Sequence, residues 1–121
     1  MSVDLVYDGV PVAFRDGPYV VAGKPTEDAI AFVESLAKRM DQWRTFAADE
    51  LLAFYNDTCL DEEIGILGRT GFAAQLDSSA IVIDSEIGSA EVHFEDGGLF
   101  AGQFVIVIIK GGHPIKAEVV G

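Results

Sequence analysis

The chain has 121 residues, half of them apolar, with 20 acidic against 8 basic side chains and a formal charge of −12. This is enough for one domain, 1–121, with a real core, and too apolar for global disorder. The shortage of lysine and arginine argues against nucleic acid and anionic membranes, whose phosphates need cations.

A single cysteine, Cys59, excludes an internal disulfide framework and suggests a reducing compartment. Met1-Ser2-Val3-Asp4 has no basic region and no long apolar run, so it does not read as a standard signal peptide. No stretch reaches transmembrane length. The simplest expectation is a cytoplasmic, bacterial-type protein.

Val3 to Tyr7 alternates weakly and ends at the turn pair Asp8-Gly9. Val10 to Arg15 reads as a second strand, with Pro11 fitting an edge or a strand start. Asp16-Gly17 turns again, and Pro18 to Ala22 reads as a third strand. Thr26 is an N-cap, with Glu27 and Asp28 against the helix dipole. Ile30, Val33, Leu36, Met40, Trp43, Ala47, Leu51 and Phe54 then recur at steps of three and four, one continuous amphipathic stripe. It is long enough to admit a break near Asp41 to Thr45.

Thr70 to Leu76 reads as a short helical turn capped by Thr70, with Phe72 and Leu76 inward. Ala80 to Asp84 is a strand. Ala90 to Glu95 alternates, with Ala90, Val92 and Phe94 facing in. Phe104 to Ile109 is an unbroken apolar run, as a central strand buried on both faces requires. Gly111-Gly112 supplies a two-residue hairpin turn, since glycine adopts positive φ freely. That turn pairs Ile108 with Ile115, Ile106 with Ala117 and Phe104 with Val119, which makes the even-numbered face the core. Phe94 would meet an odd-numbered residue across a two-residue turn, so an odd-length loop or bulge is expected between Glu95 and Phe104.

The predicted fold is therefore α+β: N-terminal β-hairpins, one long amphipathic helix, a short helical turn, and a C-terminal four-stranded antiparallel meander packed on the helix.

Several residues resemble a known group. Leu51 to Asp57, Phe72-Ala73-Ala74-Gln75-Leu76, the acidic strand ending Phe94-Glu95-Asp96-Gly97, and Leu99-Phe100-Ala101-Gly102 are similar to small bacterial proteins grouped as domains of unknown function. The group's pattern implies a histidine after the glycine of Phe-x-Gly, where this chain has Gln103. Similar small acidic domains occur as immunity or accessory proteins. The resemblance implies no reaction.

Three functional readings follow from the residues. Asp57 to Asp96 holds ten carboxylates and one basic residue, Arg69, a surface that favours encounter with a basic protein. Asp61, Glu62, Glu63, Glu95 and Asp96 are its candidate partner-binding residues, and in this reading no cofactor is needed and nothing is catalytic. Glu91, His93 and Glu95 share a strand face and offer two carboxylates and an imidazole to a metal, as in a small metal-dependent hydrolase. Val105, Val107 and Ile109, left beside Lys116 and Glu118, could form a homodimer face.

Other patterns are weaker. Cys59 with His93 or His113 could pair a nucleophile with a base, but Cys59 has no surrounding signature. Asp61-Glu62-Glu63 lacks the spaced ligands of a calcium loop, and Gly65 to Gly71 lacks the lysine of a phosphate loop.

Overall fold

Alternation along the strands decides which side chains meet the helices. The structure, a computed structural model, describes residues 3–121. Met1 and Ser2, part of the N-terminal stretch read above, lie outside them. The described strands are β1 (Val3–Tyr7), β2 (Val10–Phe14), β3 (Val20–Val21), β4 (Lys24–Pro25), β5 (Asp77–Ile83), β6 (Ala90–Glu95), β7 (Phe104–Lys110) and β8 (His113–Val120). The helices are α1 (Glu27–Lys38), α2 (Met40–Thr58) and α3 (Arg69–Gln75). The main sheet runs β1-β2-β5-β6-β7-β8, and β3 and β4 form a separate small hairpin.

The expected meander is the run from β5 to β8, but it is only part of a mixed six-stranded sheet, because β2 joins β5 in parallel. Pro11 therefore lies in an interior strand. It is tolerated there because hydrogen-bonded pairs alternate from the hairpin turn. Tyr7 opposite Val10 takes a bonded position, so Pro11 opposite Val6 needs no donor toward β1, and the ladder to β5 begins only at Val12.

Across the sheet, Leu5, Val12, Ile81, Val92, Val107 and Ala117 stand in one row on the inner face. α1 and α2 cover that face, and α3 packs on α2. Val105, Val107 and Ile109 are fully buried in the core, whereas Phe104 is 43% exposed. This reverses the expected face of β7 and removes Val105, Val107 and Ile109 as a dimer surface. The cause is register. Glu95 opposes Phe104 and Phe94 opposes Val105, so the connection 96–103 has even length and needs no bulge. The hairpin turn at Gly111 and Gly112 forms with both φ values positive, 59° and 75°. Lys110 pairs with His113 as expected, but a bulge after Ile109 leaves Ile115 unopposed and shifts Ile108 onto Lys116.

The long helical stripe is two helices, and the break falls at Arg39, earlier than expected. The Leu36 carbonyl accepts the Arg39 N–H at 3.1 Å and the Trp43 indole N–H at 2.9 Å, which ends the regular ladder of α1. Arg39 then stacks over Trp43 at 4.6 Å and donates to the Gly112 carbonyl at 3.2 Å, tying the break to the β7–β8 turn. The stripe also shifts by one residue at each end. Ala29 and Tyr55 are buried, while Ile30 and Phe54 are 37% and 46% exposed. Thr26 caps α1 as read, accepting from Ala29, and Phe72 and Leu76 are buried. The N-cap of α3 is Gly68, not Thr70. Tyr7, half-buried beside α1, donates to Glu34 at 3.4 Å, and its burial and that carboxylate both raise the phenol's pKa.

This register gives a direct test. Ile109→Ala should cost about 3 kcal/mol by urea unfolding, because it opens a cavity in a packed core. Phe104→Ala, at a partly exposed site, should cost about 1 kcal/mol. The opposite order would mean that the even-numbered face of β7 is the buried one.

Candidate functional site

The residues with the clearest unsatisfied surface lie where α2 ends beside the β6–β7 connection. Two side chains in the last turns of α2 secure the segment that follows. Tyr55 donates its hydroxyl to the Gly65 carbonyl at 2.9 Å and accepts the Asp61 N–H at 3.3 Å. Asn56 donates to the Leu67 carbonyl at 3.0 Å and accepts the Leu67 N–H at 3.1 Å. Asp61 Oδ1 accepts the N–H groups of Glu63 and Ile64. The glycine-rich stretch is thus a structural connection that ends in the N-cap of α3, and Asp61 is a turn-former whose side of the loop leaves Glu62 and Glu63 exposed.

The second wall is built around Asp96. Asp96 is 3% exposed. Oδ1 accepts the Gly98 N–H at 2.9 Å, and Oδ2 accepts those of Phe100, Gly102 and Gln103 at 2.9, 3.1 and 3.0 Å. Four amides on one carboxylate close the 96–103 connection into a compact loop. Gly97 is required at its start: φ is +61°, and a Cβ there would sit 2.3 Å from the Gln75 carbonyl oxygen. Asp96 is therefore not a surface acid, which corrects its assignment to partner binding; its charge is consumed by the loop. Short polar acceptors followed by glycines favour such local turns, so the run Asp96-Gly97-Gly98 with Gly102 carried the signal for this role.

Between the two walls lies a cleft of about 510 Å³ lined by Phe54, Cys59, Leu60, Asp61, Gly98 to Ala101, Gln103 and Val119. Its floor is aromatic. Phe54 stacks on Phe100 at 6.0 Å, and Phe100 meets Tyr55 and Phe72 edge-on, each at 6.1 Å. Phe54 and Leu60 remain 46% and 45% exposed at the mouth. Ala101 holds φ at +62°, a conformation that costs a non-glycine residue about 1 kcal/mol or more and is retained where the surroundings over-determine it. Among the described residues no lysine or arginine lines this cleft. The carboxylates of Asp57, Asp61, Glu62 and Glu63 border it in sequence, and Ile64 reaches the loop at Gly98.

The other candidate residues are not gathered here. Cys59 is half-buried in the cleft wall, yet among the described residues no histidine lines it. His113 stands at the opposite end of β8 from Val119, roughly 20 Å away along the strand, and His93 is on the outer sheet face. Among the described residues no nucleophile–base pair forms at Cys59. Glu91, His93 and Glu95 share the outer face, as period two requires, but only Glu91 and His93 turn toward each other, at 3.0 Å. The second Glu91 oxygen faces Arg15 at 3.4 Å, a cation where a metal would need a ligand. Among the described residues no three histidine, cysteine or acidic side chains converge to hold a metal, which corrects the metal assignment. Arg69 is held by Asp49 through two hydrogen bonds of 2.7 and 2.9 Å, and these raise its pKa further. The one basic residue of the acidic segment is thus already paired.

No family model, curated protein or solved structure matches this chain.

The loop assignment makes Asp96 a stability residue. Asp96→Ala should lower unfolding free energy by about 3 kcal/mol, because it strands amides that had a charged acceptor. Asp96→Asn should recover only part of this, since one carboxylate oxygen is replaced by a donor. An Asp96→Ala protein with unchanged thermal stability would contradict the arrangement.

Proposed function

We propose that this chain is a non-catalytic, acidic protein-binding module, cytoplasmic and of immunity-like or accessory type, that engages a basic partner protein. The single observation that carries the reading is the apolar cleft with Asp61 in its lining, Asp57, Glu62 and Glu63 adjoining it in sequence, and, among the described residues, no cation in its lining. A concave, largely apolar cleft with a few polar groups at its rim is the kind of surface that takes a partner's side chain. The aromatic floor suits an aliphatic or aromatic anchor, and the bordering carboxylates suit lysine or arginine beside that anchor in the partner's chain.

The shape of the walls supports the same reading. Both are fixed by side-chain-to-backbone hydrogen bonds, so little ordering is needed when an anchor enters. The net charge of −12 adds long-range attraction to a basic partner and repels nucleic acid. Of the outer-face carboxylates, Glu91 and Glu118 are engaged by Arg15, His93 and Lys116 within the chain, while Glu95 and the opposing Asp77 are exposed.

The test is selection from a displayed library of short peptides, followed by measurement of the enriched sequences one by one. Enriched peptides should place lysine or arginine beside a bulky apolar residue and shift the amide resonances of Leu60 and Gly98 to Gln103. Raising salt to several hundred millimolar, or introducing Glu62→Lys with Glu63→Lys, should each weaken binding about tenfold, ~1.4 kcal/mol. Enrichment without basic residues, or binding indifferent to both changes, would contradict the reading.

A further inference from the structure

The main sheet ends at β8, and among the described residues no strand pairs with its outer side. The hairpin with β7 fixes which backbone groups that side presents. Lys110 and His113 close the two-residue turn as a bonded pair, and bonded pairs alternate along an antiparallel ladder. Counted along β7, which carries no bulge, the bonded pairs beyond Ile115 are Ile108 with Lys116, Ile106 with Glu118 and Phe104 with Val120. Ala117 and Val119 therefore turn their N–H and C=O groups away from β7, along the free edge. The two halves of this edge differ. From His113 to Lys116 it is blunted by a proline without an N–H, a bulge and a lysine, devices that discourage strand pairing. From Ala117 to Val120 it has none of them.

We propose that this bare half of the β8 edge takes an extended segment of the partner protein as an added strand, and that the segment delivers its apolar anchor into the cleft. The inference rests on the binding-module reading and supplies the main-chain half of the recognition. Val119 joins the two features: it lines the cleft, and its backbone lies on the free edge. Opposed residues of neighbouring strands share a sheet face. A residue set opposite Val119 thus projects to the cleft side, toward Phe54, Leu60 and Phe100. The added strand would lie about 4.8 Å from β8, within side-chain reach of those residues.

Charge and backbone chemistry select this occupant. Asp61 is in the cleft lining, and Glu62 and Glu63 follow it, both exposed, so basic residues flanking the anchor meet opposite charge. A second copy of this chain would bring a further charge of −12 to the same place. A lone side chain in the cleft would leave the N–H and C=O groups of Ala117 and Val119 to water. An extended segment bonds them and fills the cleft together, main chain giving affinity and the pocketed side chain giving selection. β8 is already formed on β7, so the ordering cost falls on the partner's segment.

Hydrogen exchange of the wild-type chain, free and saturated with the strongest peptide from the displayed library, tests it. In the free protein the amides of Ala117 and Val119 should exchange faster than that of Glu118 between them, which bonds to β7. The peptide should slow Ala117 and Val119 by about tenfold or more. In the peptide, N-methylation of every second residue should weaken binding about tenfold at each, and methylation of the residues between should change it little, because alternate amides face away from β8. Ala117→Pro, which removes an edge donor and no bond to β7, should weaken the same peptide with circular dichroism of the wild type. If that variant fails to fold, the exchange and methylation results decide on the wild type alone. A peptide that shifts Leu60 and Gly98 to Gln103 while Ala117 and Val119 exchange as in the free protein overturns the strand addition and leaves cleft binding standing. So does a methylation scan without alternation. A library that enriches no peptide overturns the binding-module reading and this inference with it.

Discussion

The buried carboxylate of Asp96, with the amides of Gly98, Phe100, Gly102 and Gln103 directed at its two oxygens, is the contact on which most of the architecture depends. It closes the 96–103 loop, and that loop sets the register that places Glu95 opposite Phe104. Because side chains alternate along a strand, this register sends Val105, Val107 and Ile109 to the helices and Ile106 and Ile108 to the open face. The same loop holds Phe100 against Phe54, Tyr55 and Phe72. One charge, fully used internally, thus determines the buried face, the bare face and one wall of the cleft.

The acidity of the chain divides into two kinds. Some carboxylates are structural: Asp96 in its loop, Asp61 at the turn, and Asp49 on Arg69. Others, such as Glu62, Glu63 and Glu95, are exposed and free to contribute to an external field. The apolar cleft lies beside members of both sets. In the proposed reading, the apolar walls take the partner's anchor and supply affinity, and the solvated carboxylates supply encounter rate and selection among partners.

Much of this was legible in the chain. The alternation in Ala90 to Glu95 gave the strand and its inward face, and Gly111-Gly112 gave the turn, because both signals are local. The core face of β7 was not legible. Phe104 to Ile109 is apolar at every position, so its own pattern cannot say which parity is inside; the answer lies in loop 96–103 and in the bulge at Ile115, which are tertiary facts. Pro11 suggested an edge or a strand start; β2 is interior, but Pro11 lies at its start, before the ladder to β5 begins at Val12, where a missing donor breaks no ladder bond. The break at Arg39 follows from the Trp43 indole bonding back to Leu36, which periodicity does not reveal. Within the site, the acidic segment was visible, but the distinction between Glu95 and Asp96 was not. Adjacent acids in sequence take opposite sides of a strand end, one solvated and one enclosed.

The most direct test of this account is native-state hydrogen exchange at the four amides that Asp96 accepts. Charged hydrogen bonds to a buried carboxylate should make the N–H groups of Gly98, Phe100, Gly102 and Gln103 exchange slowly, although three of these residues are exposed, and as one unit with neighbouring amides of β7. Exchange at the rate of an unstructured chain would show that the loop opens freely. The register of β7 and the rigid wall of the cleft would then need another cause.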